Sequence, residues 1–182
     1  MERTQQQADA FHPAARRAGQ VVIRAIVLAV SCVITYRLVT HILAGIYSIS
    51  RDDDVLGGMW AVVATIFVYR YSHAESMRAA LSRMAATSLS FALCLAWLLL
   101  FPSDVWGMAA LIGIGAIAMT MAGRPDDTIT TGVTTAVVMV VAALNPHDAW
   151  RQPVLRLFDT ALGVGVGAAA SWLINSVLLR EN

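Results

Sequence analysis

The chain has 182 residues, of which 58% are hydrophobic and 14% charged, and its mean hydropathy is +0.65. A soluble domain of this length could not bury so much apolar surface, so the composition predicts an integral membrane protein. The formal net charge of +1 argues against a nucleic-acid partner. Both cysteines lie in apolar runs and the four histidines are scattered, so we expect no disulfide, metal site or cofactor.

The N-terminal segment, residues 1–20, is polar and has no apolar core followed by a small-residue cleavage site. We therefore predict a cytosolic tail and not a signal peptide. The apolar run 21–49 exceeds the roughly 20 residues that cross a bilayer, so it predicts a spanning helix. Five further apolar runs predict an all-α protein with six spans, followed by a cytosolic end at 180–182. The later spans are expected at 55–71, 77–101, 105–122, 128–144 and 154–179.

Two motifs occur twice in the chain at one offset of 73 residues. The sequence R-x-x-x-T occurs at 83–87 and 156–160, and R-x-D-D occurs at 51–54 and 124–127. This regularity indicates an internal repeat with three spans in each half. Because three is an odd number, the second half must be inverted relative to the first, as in many secondary transporters. The predicted repeats are 21–101 and 105–179.

The distribution of arginine predicts the orientation, because cytosolic loops carry an excess of basic residues. With a cytosolic N-terminus, nine of the 13 arginines lie on the inner side. Both chain ends are then cytosolic, and the loop at 145–152 faces outside.

Arg37 lies inside the first predicted span, 13 residues after Arg24 and so roughly 20 Å further along the helix. One interpretation is that its long side chain extends to the outer headgroups. The other is that it faces the bundle interior, where Asp159 or the carboxylate of a bound anion would hold it.

Each R-x-x-x-T motif places an arginine and a threonine on one helix face, namely Arg83 with Thr87 and Arg156 with Thr160. They form either a positive flank with a threonine bonded to its own helix, or the linings of two pseudo-symmetric entrances. Threonines at 128, 131 and 135 form a stripe that indicates interhelical hydrogen bonds or a polar lining of a translocation path. The acidic pairs at 53–54 and 126–127 are typical of helix caps and need no bound ion.

The last span carries small residues on one side, at Gly163, Gly167 and Ser171. This small-residue strip lets two backbones approach closely, so the helix needs a partner helix. We expect the chain to form a homo-oligomer, with a dimer as the simplest form.

Several of these features together resemble a known family. Trp60 with Thr65 five residues later, a basic loop, and R-x-x-x-T leading into a small-residue helix resemble the membrane domain of fusaric acid resistance (FUSC) and aromatic acid exporter proteins. The stretch 130–168, TTGVTTAVVMVVAALNPHDAWRQPVLRLFDTALGVGVGA, resembles that domain more closely still. The likeness covers most of residues 21–179. The chain departs from the family's R-x-x-G-T pattern, because Ala86 and Asp159 replace the glycine.

The resemblance implies a bacterial inner-membrane exporter of aromatic or related organic acids, driven by protons or by another energy source. A non-transporting membrane subunit or scaffold and a passive small-solute channel remain alternatives. No G-x-S-x-G, H-E-x-x-H or P-loop motif is present, so an enzyme is not expected. Asp159 is the predicted proton-coupling residue. The predicted substrate-binding residues are Arg37, Trp60, Thr65, Arg83, Thr87, Thr131, Thr135, Arg156 and Thr160.

Overall fold

All secondary structure in the described part of the chain is helical, which confirms the all-α prediction. The computed structural model describes residues 2–46, 51–70, 72–144, 146 and 149–180, and the predicted outer loop and C-terminal end fall partly outside them. The six helices are α1 (Glu2–Ile46), α2 (Arg51–Val68), α3 (His73–Leu100), α4 (Val105–Met121), α5 (Asp127–Leu144) and α6 (Arg151–Arg180).

Local chemistry explains where the central helices begin and end. The Asp104 carboxylate accepts a hydrogen bond from the backbone N–H of Gly107 at 2.9 Å and so caps the start of α4. Gly123 has φ of 72° in the turn after α4, a left-handed conformation that favours glycine. Pro102 follows the end of α3, because proline cannot continue a helix. These signals are local, so the observed bounds lie within a few residues of the predicted ones.

Four of the helices are long and apolar enough to cross a membrane, over residues 19–41, 73–100, 127–144 and 151–177. The apolar parts of α2 and α4 are shorter, at 54–68 and 105–121. The prediction of six complete spans is therefore supported directly for four helices. Residues 2–20, which we predicted only as a polar tail, continue α1 as helix. Their alanine, glutamine and arginine content favours that conformation.

The central pair of the bundle is α3 and α6, which pack against each other. On one side α2 lies against α6 and α1 covers α2, whereas on the other side α5 lies against α3 and α4 covers α5. Large apolar side chains point away from the bundle, as a lipid-facing surface requires. The most exposed of these include Trp106, Met121 and Ile129, at 76–84%.

The small-residue strip of α6 packs against α2 of the same chain. A Cβ atom added at Gly167 would lie 2.8 Å from the carbonyl oxygen of Thr65, and Gly163 is packed more tightly still. Ser171 donates a hydrogen bond to the carbonyl oxygen of Arg70 at 3.0 Å. The strip thus has its partner helix within the chain. The homo-oligomer stays a prediction, but the strip no longer supports it.

Candidate functional site

A buried ion pair joins Arg156 and Asp159 on α6. The Nη1 and Oδ2 atoms are 3.3 Å apart, and the side chains are 5% and 1% exposed. Arg156 also donates to the carbonyl oxygen of Leu56 on α2 at 3.4 Å, and its guanidinium lies 5.6 Å from the centre of the Trp60 ring. The carboxylate fits because Gly57 has no side chain: a Cβ there would lie 2.9 Å from Oδ1. We call this group the Arg156 pocket.

Within the Arg156 pocket the Asp159 carboxylate offsets the charge of the Arg156 guanidinium. Removing a single partner of such a buried pair typically costs about 3–5 kcal/mol, since the remaining charge is left uncompensated. Thr160, one turn further along α6, is also buried, with 5% exposure. The predicted Arg156 and Thr160 pair therefore lies inside the bundle, next to α2.

Arg83 on α3 is buried, and none of the described residues acts as its counter-ion. Its exposure is 7%, and its guanidinium lies 5.0 Å from the centre of the Phe67 ring on α2. Within the described ranges no ion pair involves Arg83, and its Nε atom is buried without a hydrogen-bond acceptor. Thr87, one turn further, is 1% exposed, and its hydroxyl also has no partner there. We call this group the Arg83 site.

The chemical character of the Arg83 site is that of an anion receptor. A buried charge is costly unless it is paired, and an arginine N–H together with a threonine O–H offers two donors to one acceptor group. The half-exposed Phe67 beside them adds an apolar surface. Of the predicted binding residues, Arg83, Thr87 and Trp60 each have a buried donor with no acceptor among the described residues.

Thr65 forms hydrogen bonds that connect three helices. Its hydroxyl donates to the carbonyl oxygen of Gly163 on α6 at 3.0 Å, with Ala61 on its own helix an alternative acceptor at 3.0 Å. It also lies 3.0 Å from the hydroxyl of Thr35 on α1. These contacts give this predicted substrate-binding threonine a packing role, because its hydroxyl already has protein partners.

The threonine stripe of α5 faces α3. Thr135 donates to the hydroxyl of Ser90 at 3.1 Å, and Ser90 donates to the carbonyl oxygen of Thr131 at 2.9 Å. Thr131 donates to the carbonyl oxygen of Asp127, one turn before it, at 2.9 Å. Of the two interpretations that the sequence left open, these contacts favour interhelical hydrogen bonding.

Arg37 is exposed on α1, and no ion pair connects it to Asp159 among the side chains that the structure describes. Asp159 has Arg156 as its partner instead, three residues away on the same helix. The structure therefore does not assemble the predicted Arg37 and Asp159 pair. The exposed position fits the alternative in which the Arg37 side chain extends toward the headgroups.

An acidic contact at the α4–α5 turn was not anticipated from the sequence, which indicated only a cap. Asp127 forms an ion pair with Arg124 at 2.7 Å and accepts a hydrogen bond from Ser82 on α3. The R-x-x-D spacing could have revealed the first contact, because residues three apart share a helical turn. No sequence signal indicated Ser82, since that contact depends on how α3 and α5 pack.

A family model described as fusaric acid resistance protein-like matches residues 42–170, more than two thirds of the chain. The chain belongs to this family. No curated protein and no solved structure matches the chain. The predicted resemblance to the FUSC family is thus confirmed, and it indicates a membrane protein of the transport and resistance class. The matched range contains the Arg83 site and the Arg156 pocket, whereas Arg37 lies outside it.

Proposed function

We propose that this FUSC-family protein exports organic acids, with aromatic carboxylates as the substrate class, from the cytosol across a bacterial inner membrane. The observation that carries the proposal is the Arg83 site, where neither the buried guanidinium nor the Thr87 hydroxyl one turn later has a charged or hydrogen-bonding partner, respectively, among the described residues. A carboxylate that leaves water needs such donors to replace its hydration. Its ring needs an apolar surface, and the side chain of Phe67 offers one within reach of Arg83.

The proposed topology has six spans in two inverted repeats, with both chain ends in the cytosol. The helix contacts support it, because each has a counterpart in the other half. The packing of α1 on α2 corresponds to that of α4 on α5, and the packing of α2 on α6 corresponds to that of α5 on α3. The contact of α1 with α6 likewise corresponds to that of α4 with α3. Such pairing of contacts is expected when two copies of one unit meet at an interface.

Labelling of single cysteines tests the topology in a background in which Cys32 and Cys94 are replaced by alanine. A cysteine at the exposed Trp150 should react in intact cells with a thiol reagent that cannot cross the membrane. A cysteine at the exposed Ala122 or Glu75 should react only after the cells are opened. Labelling of all three positions from outside would contradict the proposed orientation.

Asp159 is the proposed site of energy coupling. The sequence alone suggests Arg37 as its cationic partner, whereas the structure pairs it with Arg156 at 3.3 Å. A proton on Asp159 would remove the charge that neutralises Arg156, so proton uptake would free the Arg156 guanidinium to bind an anion. Asp159→Asn should therefore retain exchange of labelled acid across vesicles while losing acceleration by a proton gradient. Unchanged acceleration would contradict this role.

Transport of radiolabelled benzoate into inside-out vesicles tests the main proposal. Arg83→Gln should lower the initial rate at least about tenfold, because a lost charged hydrogen bond is worth about 1.5–3 kcal/mol. Arg78→Gln is the matched control, since Arg78 is an exposed arginine on the same helix and its loss should change the rate less than twofold. A wild-type rate in Arg83→Gln would refute the role of the Arg83 site.

The rival functions give different results in the same assay. A passive channel would pass benzoate at a rate that does not depend on the proton gradient. A scaffold subunit would show no flux of any acid, although the purified protein is folded. Absence of flux would exclude the proposed exporter, and flux that never exceeds equilibration under a proton gradient would exclude its proton-coupled form.

A further inference from the structure

The two arginine sites occupy equivalent positions in the two halves of the chain but differ in one residue. The 73-residue offset aligns Arg83 with Arg156 and Thr87 with Thr160, and it also aligns Ala86 with Asp159. Ala86 is fully buried, and its methyl side chain supplies no carboxylate to the Arg83 site. The second half therefore has a carboxylate, on Asp159, at the position where the first half has the methyl group of Ala86.

The contents of the two sites are otherwise alike. Each has a buried arginine, a buried threonine one turn later, and an aromatic ring from α2 near the guanidinium: Phe67 at 5.0 Å and Trp60 at 5.6 Å. The difference is charge. The guanidinium of Arg156 is neutralised by Asp159 at 3.3 Å, whereas no carboxylate contacts Arg83 within the portion of the chain that is described.

We propose that the Arg156 pocket is a second carboxylate-binding site, which Asp159 fills as an internal ligand. The inference rests on the proposed function in one respect, namely that the Arg83 site receives the same chemical group from a substrate. The ligand class is a small monocarboxylate, such as acetate or benzoate. Removal of the Asp159 carboxylate would open the pocket to that ligand.

Two features of the pocket fit a carboxylate ligand. Gly57 provides the space, because its bare backbone lies where a Cβ would come within 2.9–3.1 Å of the two Asp159 oxygens. The indole N–H of Trp60 is buried and has no acceptor among the described residues, so Asp159 does not satisfy it and it remains a donor for a carboxylate ligand. Arg156 and Trp60 would then bind one oxygen each.

The consequence for transport is competition between an internal and an external anion. A substrate carboxylate that moves from the Arg83 site toward the Arg156 pocket must displace Asp159 or wait until it is protonated. In the native chain Asp159 would therefore expel the substrate once the proton leaves. The same residue difference would make the two halves unequal, so that one half accepts the anion and the other releases it.

Purified protein in detergent, heated with and without acetate, tests the inference directly. Asp159→Ala leaves a cavity beside Arg156, and acetate should fill it and raise the melting temperature. The expected rise is about 5–10 °C at 100 times the dissociation constant, because binding to the folded state stabilises it by mass action. Asp159→Asn is the matched control, since its amide keeps the cavity occupied and acetate should have little effect. Asp126→Ala, at an exposed aspartate, should behave like the wild type.

The results separate this inference from the proposed function. Equal acetate effects in Asp159→Ala and Asp159→Asn would overturn the inference, whatever the wild type transports. If Asp159→Ala cannot be purified folded even in acetate, the inference is also wrong, because a filled pocket should recover the protein. If the wild type shows no benzoate flux, the proposed function is wrong, but the inference about the Arg156 pocket is not affected. Titration calorimetry with benzoate should give one more binding site per chain in Asp159→Ala than in the wild type.

Discussion

Replacing Gly163 by alanine should destabilise the protein, because α2 and α6 have no room for a side chain there. The new Cβ would lie 2.8 Å from the Cβ of Ala64 and closer still to the carbonyl oxygen of Ala61, whereas ordinary contacts begin at 3.4 Å. The helices must therefore separate by at least about 0.6 Å, and by more at Ala61.

The cost of that separation has two parts. Overpacking of a tight interface costs about 1–3 kcal/mol. The hydrogen bond from Thr65 to the carbonyl oxygen of Gly163 is 3.0 Å long, and its lengthening would lose about 0.6–1 kcal/mol in a membrane protein. The total is about 2–4 kcal/mol, which corresponds to a fall of roughly 4–16 °C in melting temperature for a chain of this size.

The assay is thermal unfolding in mild detergent, followed by intrinsic tryptophan fluorescence. Gly165→Ala is the matched control on the same helix, because nothing lies within 4 Å of a Cβ at that position. Its melting temperature should stay within about 4 °C of the wild type, given the small helix-propensity difference between glycine and alanine. Equal melting temperatures for Gly163→Ala and Gly165→Ala would refute the packing of α6 on α2 described above.

Three further substitutions test other contacts. Thr65→Val keeps the side-chain shape but removes the hydroxyl shared by α1, α2 and α6, so the melting temperature should fall by an amount equivalent to about 1–2 kcal/mol, and no change would argue against that junction. Asp127→Asn weakens the ion pair with Arg124 and should lower the melting temperature at low salt more than at high salt, because part of that pair is solvent-exposed. Ala86→Asp supplies Arg83 with a carboxylate and should abolish benzoate transport while the protein stays folded; retained transport would contradict the role of the Arg83 site.

Much of the local structure could be predicted because its causes are local in sequence. A long apolar run must satisfy its backbone hydrogen bonds internally in a bilayer, so it forms a helix wherever it occurs. Asp104, Pro102 and Gly123 end or begin helices through their own backbone and side-chain chemistry. The 73-residue offset matched Arg83 with Arg156, but the burial of both side chains is known only from the structure.

The candidate site could be predicted only in part. The sequence placed Arg83 with Thr87 and Arg156 with Thr160, because residues four apart share a helix face. It did not show that Asp159 forms its ion pair with Arg156 and not with Arg37, because the pairing depends on how each helix is rotated in the bundle. Gly57 has no side chain, and this lets the Asp159 carboxylate approach α2. Whether Gly57 faces Asp159 also depends on how α2 and α6 cross.

The sequence by itself determined the membrane character, the all-helical class, the places where helices end and the family to which the chain belongs. Tertiary structure alone decided which helix faces which. Lipid tails are as apolar as leucine, so hydrophobic patterning gives little preference for one helix pair over another. The choice is made by close backbone approach and by shared hydrogen bonds, as where Gly163 meets α2 and Thr65 meets both neighbours. Those contacts exist only when the helices are assembled, and the same assembly places Asp159 beside Arg156 and the space left by Gly57.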